Sequence, residues 1–505
     1  MKIIYLPLDE RPCNTTYPKQ ASEVASDWTI ITPNIRLLGQ KKKQGDIKGL
    51  RKFLLKESSD ADAAVISTEM LAYGGLLPSR LHASDEEIII NYEKTIRQLK
   101  SQNENLKLYV SNLIMRTPRS SSSDEEPDYY EEYGAEIFQY GWLKDKKKRE
   151  GLSNEELQQF SYVKTYVPIE HIQDYENRRK FNLRINQLNI SLLNNKIIDF
   201  LVIPQDDAAE FGYTAMDQKK VFKWLDEDYS QSVMIYPGAD EVGFSLLARA
   251  YNEQKKQRPK IFPIYSSTLG PYIIPLYEDR PINETMKAHI MVNGCELVNS
   301  PEKADIILAY NTPGKKMQES WDQLTDNIDI TYSSYRHLPT FVREIENYLD
   351  NGYPVIIADS AYSNGGDGEL IKLLDSKKLL EKLSSYKGWN TNGNTLGSTI
   401  AAGVFALGEG NSEAIKQNLL MHLFDDFFYQ SLVRMEVTEN ELPKLGLNYF
   451  DLGEKKEIVR CIIEEKLEQQ KKTFLKQTFS TDSYQISVDF PWNRMFEISC
   501  QLSIK

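Results

Sequence analysis

Histidine and cysteine are scarce in this chain of 505 residues, which contains five histidines and four cysteines. No cysteines form a CxxC motif and no histidines form an HxH or HExxH motif. The sequence therefore predicts neither a disulfide framework nor a zinc site. There is also no run of about eighteen apolar residues, so we expect no transmembrane helix and no membrane partner. The apolar run after Met1 is too short for a signal peptide, and we expect a cytoplasmic protein.

A concentrated basic surface and the common phosphate or nucleophile motifs are also absent. The net charge of −12 argues against a nucleic-acid partner, and we expect the basic clusters at 41–43 and 144–150 to be solvated faces. Neither GxxxxGK[ST] nor GxSxG occurs in the sequence. The chain is therefore not expected to be a P-loop nucleotidase or a serine hydrolase, and no cofactor is expected.

Short apolar runs rich in β-branched residues alternate with stretches of helical periodicity along the chain. The predicted strands are residues 2–8, 28–33, 63–68, 107–114, 198–204, 232–237, 260–266, 304–310, 354–359 and 386–390. Runs that are apolar throughout are typical of parallel strands buried on both faces. The fold class is therefore α/β with a parallel sheet. Two arrangements stay open, a (β/α)8-like barrel and two consecutive α/β units.

The predicted domain organisation separates an α/β body, residues 1–410, from a mainly helical C-terminal subdomain, residues 411–505. Alternating polarity near the end predicts that this subdomain closes with a β-hairpin. Residues 261–311 are a candidate inserted α/β unit. The acidic, aromatic and then basic segment 119–150 is either a solvated excursion or an active-site lid.

Polar side chains follow most of the predicted strands, at the point where each strand ends. Because the carboxyl ends of parallel strands meet at one edge of a sheet, we expect a ligand site there. Carboxylates and amides hydrogen-bond sugar hydroxyls, and aromatic rings stack on the apolar face of a pyranose, so a small carbohydrate is the expected partner. The predicted substrate-binding residues are Asp9, Glu10, Arg11, Glu69, Tyr73, Arg116, Asn311, Asp359, Trp389, Asn390, Asn392 and Asn394.

Two adjacent aspartates, Asp206 and Asp207, stand where the apolar run 198–204 ends. One interpretation is a helix cap, since an Asp oxygen accepts the unpaired N–H groups of a helix start. The other is the acid pair of a glycoside hydrolase acting on a small glycan or N-acetylhexosaminide. In that chemistry one carboxyl protonates the leaving oxygen while its neighbour orients a 2-acetamido group. Asp240 and Glu241, after the next strand, complete the predicted catalytic set.

Two further hypotheses use the same side chains. Asp9, Asp206 and Asp240 are candidate ligands for Mg²⁺ or Mn²⁺ in a metal-dependent hydrolase or lyase of a small carbohydrate or amide. A sugar-binding protein without catalytic activity is the third hypothesis. Under the glycosidase hypothesis we expect both aspartates at the floor of the main pocket, near Glu69, Asp240 and Asn392. Partial desolvation there raises the pKa of one carboxyl and fits it to donate a proton.

Five motifs carry a resemblance to a known family: LPLDERPCN, TEMLAYGGLLPSR, PQDDAAEFG, YPGADEVG and GWNTNGNTLGS. Together they resemble, over essentially the full length, a family of bacterial proteins catalogued as a domain of unknown function. A looser similarity is to the O-GlcNAcase-like hexosaminidases, (β/α)8 enzymes with an adjacent Asp-Asp pair after a barrel strand. That similarity rests on Asp206, Asp207 and the late Trp/Asn segment, and it implies a hexosaminidase-like acid pair.

Overall fold

The computed structural model describes residues 1–83, 85–225, 232–409, 412–479 and 484–504. The chain divides into two compact units. Unit 1 comprises Met1–Glu10, Trp28–Gly243 and Tyr277–Asp279, and unit 2 comprises Arg11–Asp27, Phe244–Leu276 and Arg280–Lys505. The division differs from the predicted boundary at residue 411, because the C-terminal helices belong to the same unit as a complete parallel sheet.

Unit 1 contains a six-stranded sheet in the order β2-β1-β3-β4-β5-β6, and every neighbouring pair is parallel. Its strands are β1 Lys2–Leu6, β2 Thr29–Ile31, β3 Ala63–Ser67, β4 Lys107–Ser111, β5 Phe200–Val202 and β6 Val233–Met234. The side chains of β3 are buried throughout, as expected for a strand covered on both faces.

Helices connect the strands of unit 1 and bury their apolar stripes. Glu86–Gln102 places Tyr92, Ile96 and Leu99 in the core at helical spacing, and Asp85 caps its first turn by accepting from the Glu87 N–H. The helices assigned to this unit are Ile47–Glu57, Thr68–Tyr73, Pro78–Leu81, Glu86–Gln102, Tyr130–Arg149, Asn154–Tyr166, Ile169–Asn194 and Tyr213–Trp224.

The segment 119–150 is largely helical. The helix Tyr130–Arg149 buries Tyr130, Ile137 and Leu143, so the hypothesis of a solvated excursion is wrong for this half of the segment. The basic residues of 144–149 lie in its last turns, where positive charge complements the helix dipole. The lid hypothesis stays a prediction.

Unit 2 contains a five-stranded parallel sheet in the order β13-β11-β9-β7-β8. Its strands are β7 Lys260–Tyr265, β8 Glu296–Leu297, β9 Ile306–Asn311, β11 Val355–Asp359 and β13 Ser385–Lys387; a separate short pair joins β10 Gln318–Glu319 to β12 Tyr362–Ser363. Residues 261–311 contribute β7, β8 and β9 to this sheet, where β7 pairs with both β8 and β9.

The longer helices of unit 2 cover its sheet and build the C-terminal region. They are Val242–Gln254 (residues 244–254 in this unit), Ile282–Val292, Leu338–Asp350, Gly368–Ser376, Asn392–Ala406, Glu413–His422, the π-helix Leu423–Val433, Arg434–Asn440 and Lys456–Phe474, with the shorter Thr16–Ser22. The predicted C-terminal hairpin is confirmed as the antiparallel pair β14 Tyr484–Asp489 and β15 Ser499–Ile504.

The two sheets have the same connectivity. When the strands of each sheet are numbered along the chain, both sheets contain the spatial order 2-1-3-4-5. In such doubly wound sheets the connections leave β1 in opposite directions, and ligands bind beyond the carboxyl ends of the strands near this switch point. Of the two arrangements left open by the sequence, two consecutive α/β units are therefore confirmed. In the part of the chain that the structure describes, no helix is long and apolar enough to cross a bilayer.

Candidate active site

The predicted site residues fall into two sets, one in each unit. Unit 1 holds Asp9, Glu10, Glu69, Tyr73, Arg116, Asp206, Asp207, Asp240 and Glu241. Unit 2 holds Arg11, Asn311, Asp359, Trp389, Asn390, Asn392 and Asn394.

The adjacent aspartates lie in the turn that follows β5. The next helix begins at Tyr213 with Gly212 at its N-cap position, so the interpretation of Asp206 and Asp207 as helix caps is wrong. Asp207 has a φ of +44°, a left-handed conformation that Asp tolerates better than most residues. Such conformations persist where the surrounding structure fixes them, often at functional sites.

Each aspartate is held by a different arginine. Arg80 donates to Asp206 Oδ2 from Nη2 at 2.7 Å, and Arg116 donates to Asp207 Oδ2 from Nη1 at 3.3 Å. Arg80 is 2% exposed, whereas the side chain of Asp207 is 25% exposed. Two carboxylates that are neighbours in the chain are thus held by separate cations.

Glu125 and Glu126 join the two arginines into one network. Arg80 Nη1 donates to Glu125 at 3.0 Å and to Glu126 at 3.3 Å. Arg116 donates to the same two residues at 2.8 Å each, from Nη2 and Nε respectively. We call these four residues with Asp206 and Asp207 the arginine–carboxylate cluster. It carries four acids and two guanidinium groups, so ionisation of all four carboxylates leaves an excess of negative charge.

That excess affects the protonation of Asp207. Burial, reinforced by the negative charge of Asp206, raises the pKa of Asp207 to about 6, although Arg116 and Arg80 oppose the shift. A carboxyl with this pKa exists in both protonation states near neutral pH. It is therefore suited to donate or accept a proton, as general acid–base catalysis requires.

A small polar pocket opens beside Asp206 and Arg80. Glu69, Tyr73, Asn112 and Asn182 also line it, together with Ser79, Leu76, Leu113 and Met115. Glu69, in the first turn after β3, accepts hydrogen bonds from Asn112 Nδ2 at 2.9 Å and from the Leu113 N–H at 2.8 Å. Burial raises the pKa of Glu69. The structure thus brings together three predicted residues, Glu69, Tyr73 and Asp206.

The remaining predicted residues of unit 1 lie after β1 and β6. Glu10 accepts from the Lys41 N–H at 2.6 Å, and Asp9 and Asp240 are buried. Glu241 is 1% exposed and accepts from the Ala239 N–H at 2.9 Å. Burial raises the pKa of Glu241 to about 8.

The predicted residues of unit 2 include a second buried polar network. Asn311 donates to Asp359 Oδ1 at 2.8 Å, Tyr386 donates to Asp359 Oδ2 at 2.9 Å, and Arg336 pairs with Asp367. Burial raises the pKa of Asp359 to about 7. Both carboxylate oxygens of Asp359 accept hydrogen bonds from protein donors, so this network is suited to stabilise the edge of the sheet.

The other five predicted residues of unit 2 have separate environments. Arg11 stacks on the Trp492 ring, 4.5 Å from its centroid, and Asn392 accepts from Tyr310. The Asn390 carbonyl accepts from the Asn364 N–H at 2.8 Å. Trp389 and Asn394 line one pocket within this unit.

Sequence reasoning left several members of the unit 1 site out of the predicted set. They are Arg80, Asn112, Glu125, Glu126 and Asn182. Arg80 and Asn112 lie close to the ends of β3 and β4, where polar side chains are expected to meet. Glu125 and Glu126 belong to a long acidic segment whose fold gives no periodic signal. No sequence pattern marks Asn182, which lies within the helix Ile169–Asn194.

The hypothesis of a divalent cation finds no ligand set in the described ranges. No group of three or more His, Cys, Asp or Glu side chains there is arranged to hold a metal ion. In the cluster, Asp206 is instead paired with Arg80, which supplies a cation from the chain itself.

One known family matches nearly the whole length of the chain. The family described as "Protein of unknown function (DUF4127)" matches residues 3–501. The chain belongs to this family. The prediction of family made from the five motifs is thereby confirmed. A search of curated proteins finds no match to the chain. Because the family description names no activity, the geometry of the site carries the functional argument.

Proposed function

We propose that the chain is a glycoside hydrolase of a small carbohydrate, with Asp207 as general acid and Asp206 as its charged partner. The observation that carries the proposal is the separation of two adjacent carboxyls onto different arginines, with the pKa of Asp207 raised to about 6. Enzymes that use two carboxyls in distinct roles depend on environments that make the two side chains unlike.

The role of Asp206 follows from its contact with Arg80. The guanidinium places a permanent positive charge 2.7 Å from Asp206 Oδ2, and Arg80 itself is nearly inaccessible to solvent. A carboxylate held in this way has a fixed orientation. It is suited to orient a substrate group, such as a 2-acetamido N–H, or to stabilise positive charge that develops at the anomeric carbon.

The lining of the unit 1 pocket supports a polyhydroxylated ligand. The carboxylate of Glu69 and the amides of Asn112 and Asn182 line it, and the Tyr73 hydroxyl donates to Asn182 Oδ1 at 2.6 Å. Hydroxyl groups of a sugar donate and accept at the same oxygen, so they match a wall of mixed carboxylate and amide groups.

The experiment is a turnover screen with aryl glycosides, including glucosides, galactosides and N-acetylhexosaminides. Asp207→Asn is compared with the wild type and with Glu210→Gln, an exposed acid three residues further along the chain. We expect Asp207→Asn to lower kcat/KM by about 10²–10⁴-fold and Glu210→Gln to leave it unchanged. Equal turnover by Asp207→Asn and the wild type would remove Asp207 from the reaction.

A binding protein without turnover is the second candidate. It is favoured by one observation: all four carboxylates of the arginine–carboxylate cluster are paired with guanidinium groups, which is also typical of a structural network. A thermal-shift screen with free monosaccharides discriminates the two. Stabilisation by a sugar, with no hydrolysis of any aryl glycoside, would favour the binding role.

A further inference from the structure

Unit 2 contains a pocket that the proposed glycosidase chemistry does not use. Its empty volume is about 350 Å³, including the part open to solvent. The side chains that matter for its chemistry are Tyr17, Phe244, Lys387, Trp389, His422 and Asp426. Three aromatic rings thus share a pocket with an amine, an imidazole and a carboxylate.

Lys387 is a buried lysine with an unusual partner. It is the last residue of β13, its exposure is 2%, and its Nζ donates to the Asn418 side-chain oxygen at 2.8 Å. Among the described residues, no carboxylate lies within ion-pairing distance of this nitrogen. A buried ammonium without a paired carboxylate is costly, so such a lysine tends to lose its proton. Burial lowers the pKa of Lys387 to about 7, with Asp426 and Asp425 opposing the shift.

His422 lines the same pocket as this amine, and its ring is oriented by a carboxylate. Its Nδ1 lies 3.1 Å from both carboxylate oxygens of Asp426, and Asp426 also accepts from the Gly388 N–H at 2.9 Å. A carboxylate at Nδ1 favours the tautomer that leaves the lone pair on Nε2. That Nε2 is buried and has no hydrogen-bond partner in the described part of the chain. His422 itself is 5% exposed.

The backbone around His422 and Asp426 is itself uncommon. His422 ends the helix Glu413–His422, and Asp426 lies in the following π-helix Leu423–Val433. π-Helical turns are rare and occur frequently at functional sites. The fully buried Asp425 of the same turn accepts from the Tyr17 hydroxyl at 2.6 Å, which anchors one wall of the pocket.

We propose that Lys387 forms an imine with a small aldehyde or ketone bound in this pocket, and that His422 transfers the protons. The amine lone pair attacks the carbonyl carbon, a C–N bond forms, and the oxygen becomes a hydroxyl as nitrogen loses a proton. His422 Nε2 then takes the second N–H proton and transfers it to that hydroxyl as the C=N bond forms. The C–O bond breaks and water leaves, so amine and carbonyl give imine and water without any oxidant or reductant. The rings of Phe244 and Trp389 suit the apolar body of the carbonyl compound.

The test traps the imine with propanal and sodium cyanoborohydride, using the full chain at pH 7. Peptide mapping by mass spectrometry then measures the rate of propylation at Lys387 and at Lys382, a half-exposed lysine five residues away. A pKa about three units below that of an ordinary lysine makes the neutral fraction roughly 10³-fold larger at this pH. Restricted access of propanal to the buried amine offsets part of this increase in reactivity. We expect Lys387 to react at least about tenfold faster than Lys382.

The variant His422→Gln separates the role of the imidazole from that of the pocket. We expect it to slow propylation of Lys387 by about tenfold or more and to leave Lys382 unchanged. Thermal unfolding of the variant, followed by circular dichroism, checks that the fold is retained. If Lys387 in the wild type reacts no faster than Lys382, the proposal is overturned. If His422→Gln folds and reacts at the wild-type rate, the role of His422 is overturned.

Discussion

Arg80 and Asp206 are 126 residues apart in the chain, yet Arg80 Nη2 donates a hydrogen bond to Asp206 Oδ2 at 2.7 Å. Arg80 lies in the short helix Pro78–Leu81 after β3, and Asp206 lies in the turn after β5. The parallel sheet brings these two strand ends to one edge, with β4 between them. The contact therefore depends on the whole sheet, and it fixes the orientation of one of the proposed catalytic carboxylates.

Removing the guanidinium of Arg80 should destabilise the fold strongly. Arg80→Ala leaves Glu126 buried and reduces the pairing of Glu125 and Asp206, and breaking buried ion pairs costs about 3–5 kcal/mol. Arg97→Ala is the matched control, since Arg97 is half-exposed and pairs with Glu93 one helical turn away, a contact worth about 0.3–0.5 kcal/mol. Urea unfolding of the two variants measures the difference. Similar losses of stability in both would contradict the buried network.

The strand positions and their polar ends could be read from the sequence, because buried parallel strands are apolar throughout and end abruptly. All ten predicted strands occur in the structure. The edge strand β8 was not predicted, because both of its residues are exposed and its sequence has no apolar run. The sequence could not decide between two sheets and one barrel, since two doubly wound units and a barrel share the same alternation of strands and helices.

The arginine–carboxylate cluster was predictable only in part. Asp206, Asp207 and Arg116 follow strands, so their position at one edge of the sheet could be predicted. Glu125 and Glu126 come from a long irregular segment. Lys42 helps to fix this segment by donating to the Glu126 carbonyl at 3.0 Å. The basic cluster 41–43 was expected to be a solvated face, and Lys42, 34% exposed, also contacts this segment. Complementary charges distant in sequence leave no local pattern.

The pH dependence of turnover should report the protonation of Asp207. A general acid must carry its proton, so kcat/KM is highest below the pKa of Asp207, about 6, and falls as the pH rises through that value. The positive charge of Arg116 lowers this pKa. Arg116→Gln should therefore move the descending limb to higher pH, by about one unit. Arg119 is exposed, and Arg119→Gln is the control. If the descending limb of the pH profile stays in place in Arg116→Gln, the assignment of that limb to Asp207 is contradicted.

Glu241 should make the protein less stable as the pH rises. An unfolded Glu loses its proton near pH ~4.3, whereas burial keeps Glu241 protonated in the folded chain up to about 8. Between these values the folded state binds more protons than the unfolded state, so the free energy of unfolding falls as pH rises, by on the order of 1 kcal/mol per unit. The stabilisation by protonated Glu241 is fully present below the pKa of the unfolded side chain. It is lost as the pH rises through the pKa of Glu241 in the folded chain.

The variant Glu241→Gln isolates that contribution. It cannot ionise, so its free energy of unfolding should decline less steeply than that of the wild type between pH 5 and pH 8. Urea unfolding at several pH values measures both slopes, with the exposed Glu104→Gln as control. Parallel slopes for Glu241→Gln and the wild type would show that Glu241 is ionised in the folded chain.

The most direct test of the central claim compares two leaving groups on the sugar that the turnover screen identifies. A 2,4-dinitrophenyl group departs without a proton, whereas an unactivated phenyl or alkyl group needs a general acid. We expect Asp207→Asn to reduce kcat/KM by about 10²–10⁴-fold for the unactivated glycoside and by less than about tenfold for the dinitrophenyl glycoside. Glu210→Gln should change neither value. An equal loss on both leaving groups, or no loss on either, would contradict the role of Asp207 as the proton donor.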